Sequence, residues 1–158
     1  MADVLIIYNA SKPDAVRLAQ ESAQWLRASG YSVVLADQPT AACWDTPPAP
    51  NLALVVTLGG DGTLLTGAVL AAPVGAPLLG VHLGRFGFIA QVEPDAILDA
   101  LQRWQAGDYR VQERLMVQAQ LEGETRASIA LNEITLLRTP TAPMLDFTIR
   151  INDLLLTT

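Results

Sequence analysis

Residues 52 to 65 restrict the possible folds of this chain more than any other stretch. Leu52 to Leu58 is a continuous apolar run. Such runs suit strands buried on both faces, as in parallel sheets flanked by helices on either side. The run empties directly into Gly59-Gly60-Asp61-Gly62-Thr63, after which Leu64 to Leu70 opens a helix, broken only by Thr66 and Gly67. Glycines let the backbone approach a bulky anion and offer N–H groups to it, and the start of a helix adds its positive dipole end. Asp61 is the one acid in a loop otherwise suited to anions. It can cap the helix within a tight Asp-Gly turn, or take a proton from a hydroxyl beside a polyphosphate. No lysine follows the last glycine, so this is not a Walker-type P-loop. A G-x-G-x-x-G fingerprint is also missing, which speaks against a dehydrogenase.

The surrounding pattern extends the same architecture. Val4 to Tyr8 reads as a strand, Pro13 as the first turn of a helix reaching Ser29, and Tyr31 to Ala36 as a second strand. Asp37 to Asn51, with Pro39, Pro47, Pro48 and Pro50, reads as a surface loop. The helix after the glycine loop is expected from about 62 to 72. Pro77 to His82 is a fourth strand, which runs into a second glycine-punctuated loop, Gly84 to Ala90. A helix begins at Pro94 and stops at Gly107. Strands alternating with helices predict a Rossmann-like, doubly wound parallel sheet over residues 1–107.

From Asp108 the pattern changes. Arg110 to Leu121, Thr125 to Leu137 and Leu145 to Ile151 alternate without an intervening helix, around a turn at Glu122-Gly123-Glu124. These are antiparallel signals, and they predict the opening strands of an all-β unit over residues 108–158. That unit is too small to stand complete, so truncation is expected.

Composition narrows the partners. A formal charge of −6 argues against general nucleic-acid binding, which needs a broad basic face. Cys43 is the single cysteine, so no intrachain disulfide is possible, and a passive thiol in a cytoplasmic protein is expected. No apolar stretch is long enough to cross a membrane, and no signal peptide is expected.

Three motifs in this order closely resemble the NAD kinase family: Gly59-Gly60-Asp61-Gly62-Thr63, then Gly84-Arg85-Phe86-Gly87-Phe88, then Leu131-Asn132-Glu133-Ile134. The first is shared with diacylglycerol, sphingosine and phosphofructo-kinases, whereas the second and third single out the NAD kinases. The resemblance implies that Asp61 is the general base for the 2′-hydroxyl on the adenosine ribose of NAD. It implies that Gly62 lies beside Asp61 in the NAD site, and that Gly59, Gly60 and Thr63 form a phosphate-facing loop. Phe88 matches an aromatic position near the adenine, and Asn132 and Glu133 match a pair that hydrogen-bonds the dinucleotide. The phosphoryl donor implied is ATP or polyphosphate, with Mg²⁺ or a similar cation arriving on the nucleotide rather than in a protein metal site. Relatives form dimers and tetramers, so a homo-oligomer is implied for the complete protein. They also continue into a full β-rich domain that helps form the nucleotide site, so these 158 residues by themselves can be an inactive fragment.

Plainer roles remain open for several of these residues. Arg85 can steer phosphates or pair with a helix acid, Phe86 suits a core position, and His82 suits a hydrogen-bonded structural imidazole. Asn132-Glu133 can be a bulge between strands, although a polar pair inside an apolar run is costly unless satisfied. Two rival functions follow from the same residues. One is a lipid kinase of the diacylglycerol type; the other is a non-catalytic nucleotide-binding module.

Overall fold

The computed structural model describes residues 3–84, 92–137 and 147–157. Among these, β1 (Asp3–Tyr8), β2 (Ser32–Asp37), β3 (Leu52–Gly59) and β4 (Leu78–His82) form a parallel sheet in the order β2-β1-β3-β4. Tyr8 is level with Asp37 and with Leu58, and Gly59 is level with His82. The four strands therefore finish along one rim. The order reverses between β1 and β3, because β2 is laid down on one side of β1 and β3 on the other. In open α/β sheets that reversal leaves a crevice outside the carboxyl ends of the strands.

The predicted layers follow from alternation along the strands. Val4 and Ile6 of β1 pack with Leu18 and Leu26 of α1 (Pro13–Ala28) and, further along the same face, with Ile97 and Leu101. Leu5 and Ile7 point to the opposite face, with Ala41, Leu70 and Ala71. All four β1 side chains are fully buried, and each burial of this kind stabilises the fold by about 1.5–3 kcal/mol. Pro13 takes the first position of α1, where its missing N–H costs nothing, and Lys12 is the N-cap residue. The helix expected from Pro94 begins with a 3₁₀ turn, Pro94–Ala96, and continues as α4 (Ile97–Gln105). Gly107 ends it at φ +74°.

The segment from Asp37 to Asn51 is not an uninterrupted loop. It opens with α2 (Gln38–Ala42), whose N-cap Asp37 accepts a hydrogen bond from the Thr40 N–H at 2.8 Å. Pro39 sits in its first turn, where it is compatible with a helix. After β3, α3 (Asp61–Ala71) starts directly at Asp61 and passes into a 3₁₀ turn at Ala72–Val74 that contains Pro73.

Beyond residue 108 the strands are antiparallel, and shorter than the alternation suggested. β5 (Val117–Gln120) pairs with β6 (Ala127–Ala130) across the expected turn, where Gly123 has φ +85°. Alternation makes an extended chain favourable, but a strand also needs a ladder partner. Residues 110–116 and 133–137 are not part of a ladder. The expectation for Leu145 to Ile151 falls partly outside the described residues. Its described end, β7 (Ile149–Ile151), pairs with β8 (Leu154–Thr157) through Asn152-Asp153. Both turn residues have positive φ, 48° and 67°, as a two-residue hairpin turn requires.

Candidate active site

The glycine loop leaves the rim at the end of β3, and each of its residues answers to a different neighbour. A Cβ on Gly59 would collide with Thr63 Oγ1 and stand 2.8 Å from Thr63 Cβ, so only glycine lets the helix turn back this tightly onto its strand. A Cβ on Gly60 would meet nothing within 4 Å. The Gly60 carbonyl accepts from the N–H groups of Thr63 and Leu64 at 3.0 and 3.2 Å, closing the first turn of α3. Asp61, half-buried, is the first residue of that helix. The N–H groups of Asp61 and Gly62 thus lie in the turn where a helix has no carbonyl of its own to offer.

Thr63 is buried, and its hydroxyl donates to Gln38 Oε1 at 2.8 Å. The hydroxyl of this loop is therefore engaged with α2. Gln38 is a neighbour of the glycine loop that sequence reasoning missed, because its segment carries the prolines of a surface loop. Its usable signal was Asp37, an Asx residue ahead of a proline and three before a free N–H. Hydrogen bonds from the Thr40 N–H, and then from its hydroxyl, hold the Asp37 carboxyl below its ordinary pKa.

The ends of β1 and β4 complete the rim. The Asn9 N–H donates to the Leu58 carbonyl at 3.0 Å, tying the exit of β1 to the exit of β3. Asn9 Oδ1 accepts from the N–H and hydroxyl of Ser11, and the Asn9 carbonyl accepts from the Lys12 N–H. The Lys12 ammonium reaches across to donate to the Leu83 carbonyl. Leu83 in turn donates its N–H to the Gly59 carbonyl at 2.8 Å. His82 is buried, with Nε2 2.9 Å from Glu93 Oε1. Val92 lies alongside Val81, exchanging backbone hydrogen bonds with Gly80 and His82.

Of the other residues singled out from sequence, Arg85 and Phe88 lie outside the described residues, as does Phe86. Asn132 and Glu133 are exposed, just past β6, which packs against α3. The adjacent Leu131 enters a cavity of about 600 Å³ beside β4, together with Leu64, Leu78 and Trp104. That cavity does not include Asp61, but it shares helix α3 with it. Among the described residues, no three His, Cys, Asp or Glu side chains are grouped to hold a metal ion. No described helix is long and apolar enough to cross a membrane.

Fold and rim together define an open α/β domain whose crevice sits where the strand order reverses, with a glycine loop and a helix N-terminus on its edge. The family model of the ATP-NAD kinase N-terminal domain matches residues 49–109, a span that begins just before β3 and ends just after α4. The chain is 40% identical to the NAD kinase of Heliobacterium modesticaldum, over 85% of this chain and 50% of that protein. It is 34% identical to NAD kinase 2 of a Synechococcus species, over 96% of this chain and 56% of that one. It belongs to the NAD kinase family, and spans about half the length of the curated relatives it matches. A crystal structure of yeast NADH kinase complexed with NADH shares the fold, with a TM-score of 0.59 and 19% identity, covering 82% of this chain and 46% of that one.

Proposed function

We propose that this protein acts as an NAD kinase, transferring the γ-phosphoryl group of ATP or polyphosphate to the 2′-hydroxyl on the adenosine ribose of NAD. One observation carries this reading: a single carboxylate, Asp61, opens a helix at the sheet rim where the strand order reverses. In the proposed step the 2′-hydroxyl gives its proton to Asp61 and its oxygen forms a bond to the γ-phosphorus. The bond from that phosphorus to the bridging oxygen breaks, and ADP leaves. A carboxylate is a weak base, so its contribution comes from position. Gly60 and Gly62, next to it, leave the backbone open to phosphates. Asn132 and Glu133 are proposed to reach the dinucleotide from a β-rich unit that begins near residue 108, Arg85 the phosphates, and Phe88 the adenine. A divalent cation is proposed to arrive on the donor's phosphates. A homo-oligomeric complete protein, acting in the cytoplasm, fits the same reading.

The test is Asp61→Asn in the full-length protein, assayed for NADP formation. Loss of a general base costs about 10²–10⁴-fold in rate, with the thermal midpoint unchanged. Retained turnover removes Asp61 from the role of base. Labelled ATP offered with either NAD or diacylglycerol separates this reading from a lipid kinase, which would leave NAD unlabelled.

A further inference from the structure

The chain contains nine arginines and a single lysine, and that lysine stands on the rim. We propose that Lys12 is a phosphate-binding residue of the nucleotide site, contacting the donor's terminal phosphates. This deepens the NAD kinase reading and rests on it. Four observations converge. Lys12 is the N-cap of α1, just past β1, whose exit is tied to that of β3 by the Asn9–Leu58 hydrogen bond. Its ammonium donates to the Leu83 carbonyl, and the N–H of the same residue donates to Gly59, two residues before Asp61. It is half-buried, although a lysine at a helix start would ordinarily extend into water. Finally, a Cβ placed on Gly84 would stand 3.4 Å from the ammonium, at a backbone φ of +113°, so this position both needs glycine and leaves room for the cation.

The identity of the cation matters. Arg17, Arg103 and Arg126 are committed to carboxylates on the outer surface, with Glu21, Asp108 and Asp45 respectively. A guanidinium is a rigid fork, whereas an ammonium is a compact charge on a flexible stem with three donors. One donor can remain on Leu83 while the others follow the phosphoryl oxygens from donor to acceptor. Lys12 offsets charge on the transferring group while the hydroxyl proton goes to Asp61. A cation in this position also counters the negative charge of Asp61 as a polyanion approaches.

The test uses the full-length protein. Lys12→Met is expected to lower kcat for NADP formation roughly 100-fold, the size of effect seen when one preorganised transition-state donor is lost, and to raise KM for ATP, with KM for NAD unchanged. Lys12→Arg is expected to recover only part of the rate. In the wild-type protein, acylation of Lys12 by an amine-reactive reagent, followed by peptide mapping, is expected to slow when ATP is present and not with NAD alone. Labelling that ignores ATP overturns the proposal. So does a Lys12→Met protein that loses thermal stability but keeps its kcat and ATP KM, since Lys12 would then be only a staple between β1 and β4. Absence of NADP formation by the wild-type protein defeats the parent reading instead, and ATP protection of Lys12 would still report on the phosphate site.

Discussion

Gly59 and Gly60 are adjacent in sequence but answer to different constraints. Alanine at 59 has to displace a buried, β-branched threonine, so Gly59→Ala is expected to destabilise the protein by about 1–3 kcal/mol in urea unfolding. Alanine at 60 meets open space at an ordinary negative φ of −103°, and its cost is expected to stay within about 0.5 kcal/mol. A loss of NADP formation in Gly60→Ala would then report ligand approach rather than folding. The Thr63–Gln38 bond makes a second prediction at this scale. Gln38→Ala strands a buried hydroxyl and is expected to cost about 1–3 kcal/mol, whereas adding Thr63→Val removes the stranded group and recovers part of that loss. A double-mutant cycle measures the coupling, and additive losses would show that the bond contributes nothing.

Among the elements, α2 is stabilised by a cap that pH can remove. The Asp37 carboxyl is held below its ordinary pKa by Thr40. Its contribution is therefore fully present above the ordinary aspartate value, and is lost as the pH falls through the lowered folded value. The difference in thermal midpoint between the wild-type protein and Asp37→Ala is expected to shrink across that acid window, and a constant difference would rule out the cap. The elements also show what could be read directly from the chain. β1, β3, α1 and α4 were legible because long apolar runs or helical periodicity, punctuated by Pro13, Gly30, Pro94 and Gly107, leave little choice. α2 was not legible, because in five residues a cap and a proline look the same as a turn. β5 and β6 were overextended, because alternation records which face is apolar and not where a partner strand stops. At the rim, the place of Asp61 at the head of α3 was legible through its glycines. The contacts of Gln38 with Thr63 and of Lys12 with Leu83 were not, because nothing local marks a contact made across the rim.

At the scale of the whole molecule, apolar side chains are distributed unevenly. The central strands β1 and β3 are sealed on both faces, whereas Leu115, Leu137 and Leu154 are 96%, 84% and 74% exposed. Leu155 and Leu156 of β8 are exposed as well. Exposed apolar strands are templates for self-association. The 158-residue chain is expected to associate as concentration rises, and Leu154→Lys with Leu156→Glu to reduce this, as read by light scattering on size exclusion. Unchanged association would place the sticky surface elsewhere. The sheet is packed closely where it meets α3. A Cβ on Gly67 would collide with Thr57 Cγ2 and come within 3.0 Å of Leu78 Cδ1, so this helix already rides as low on the sheet as its backbone allows. With its height and its first turn both pinned, the carboxylate it carries has almost no latitude. On the proposed reading, a change of acceptor has to be written on the opposite bank of the crevice, while this bank stays as a fixed anvil.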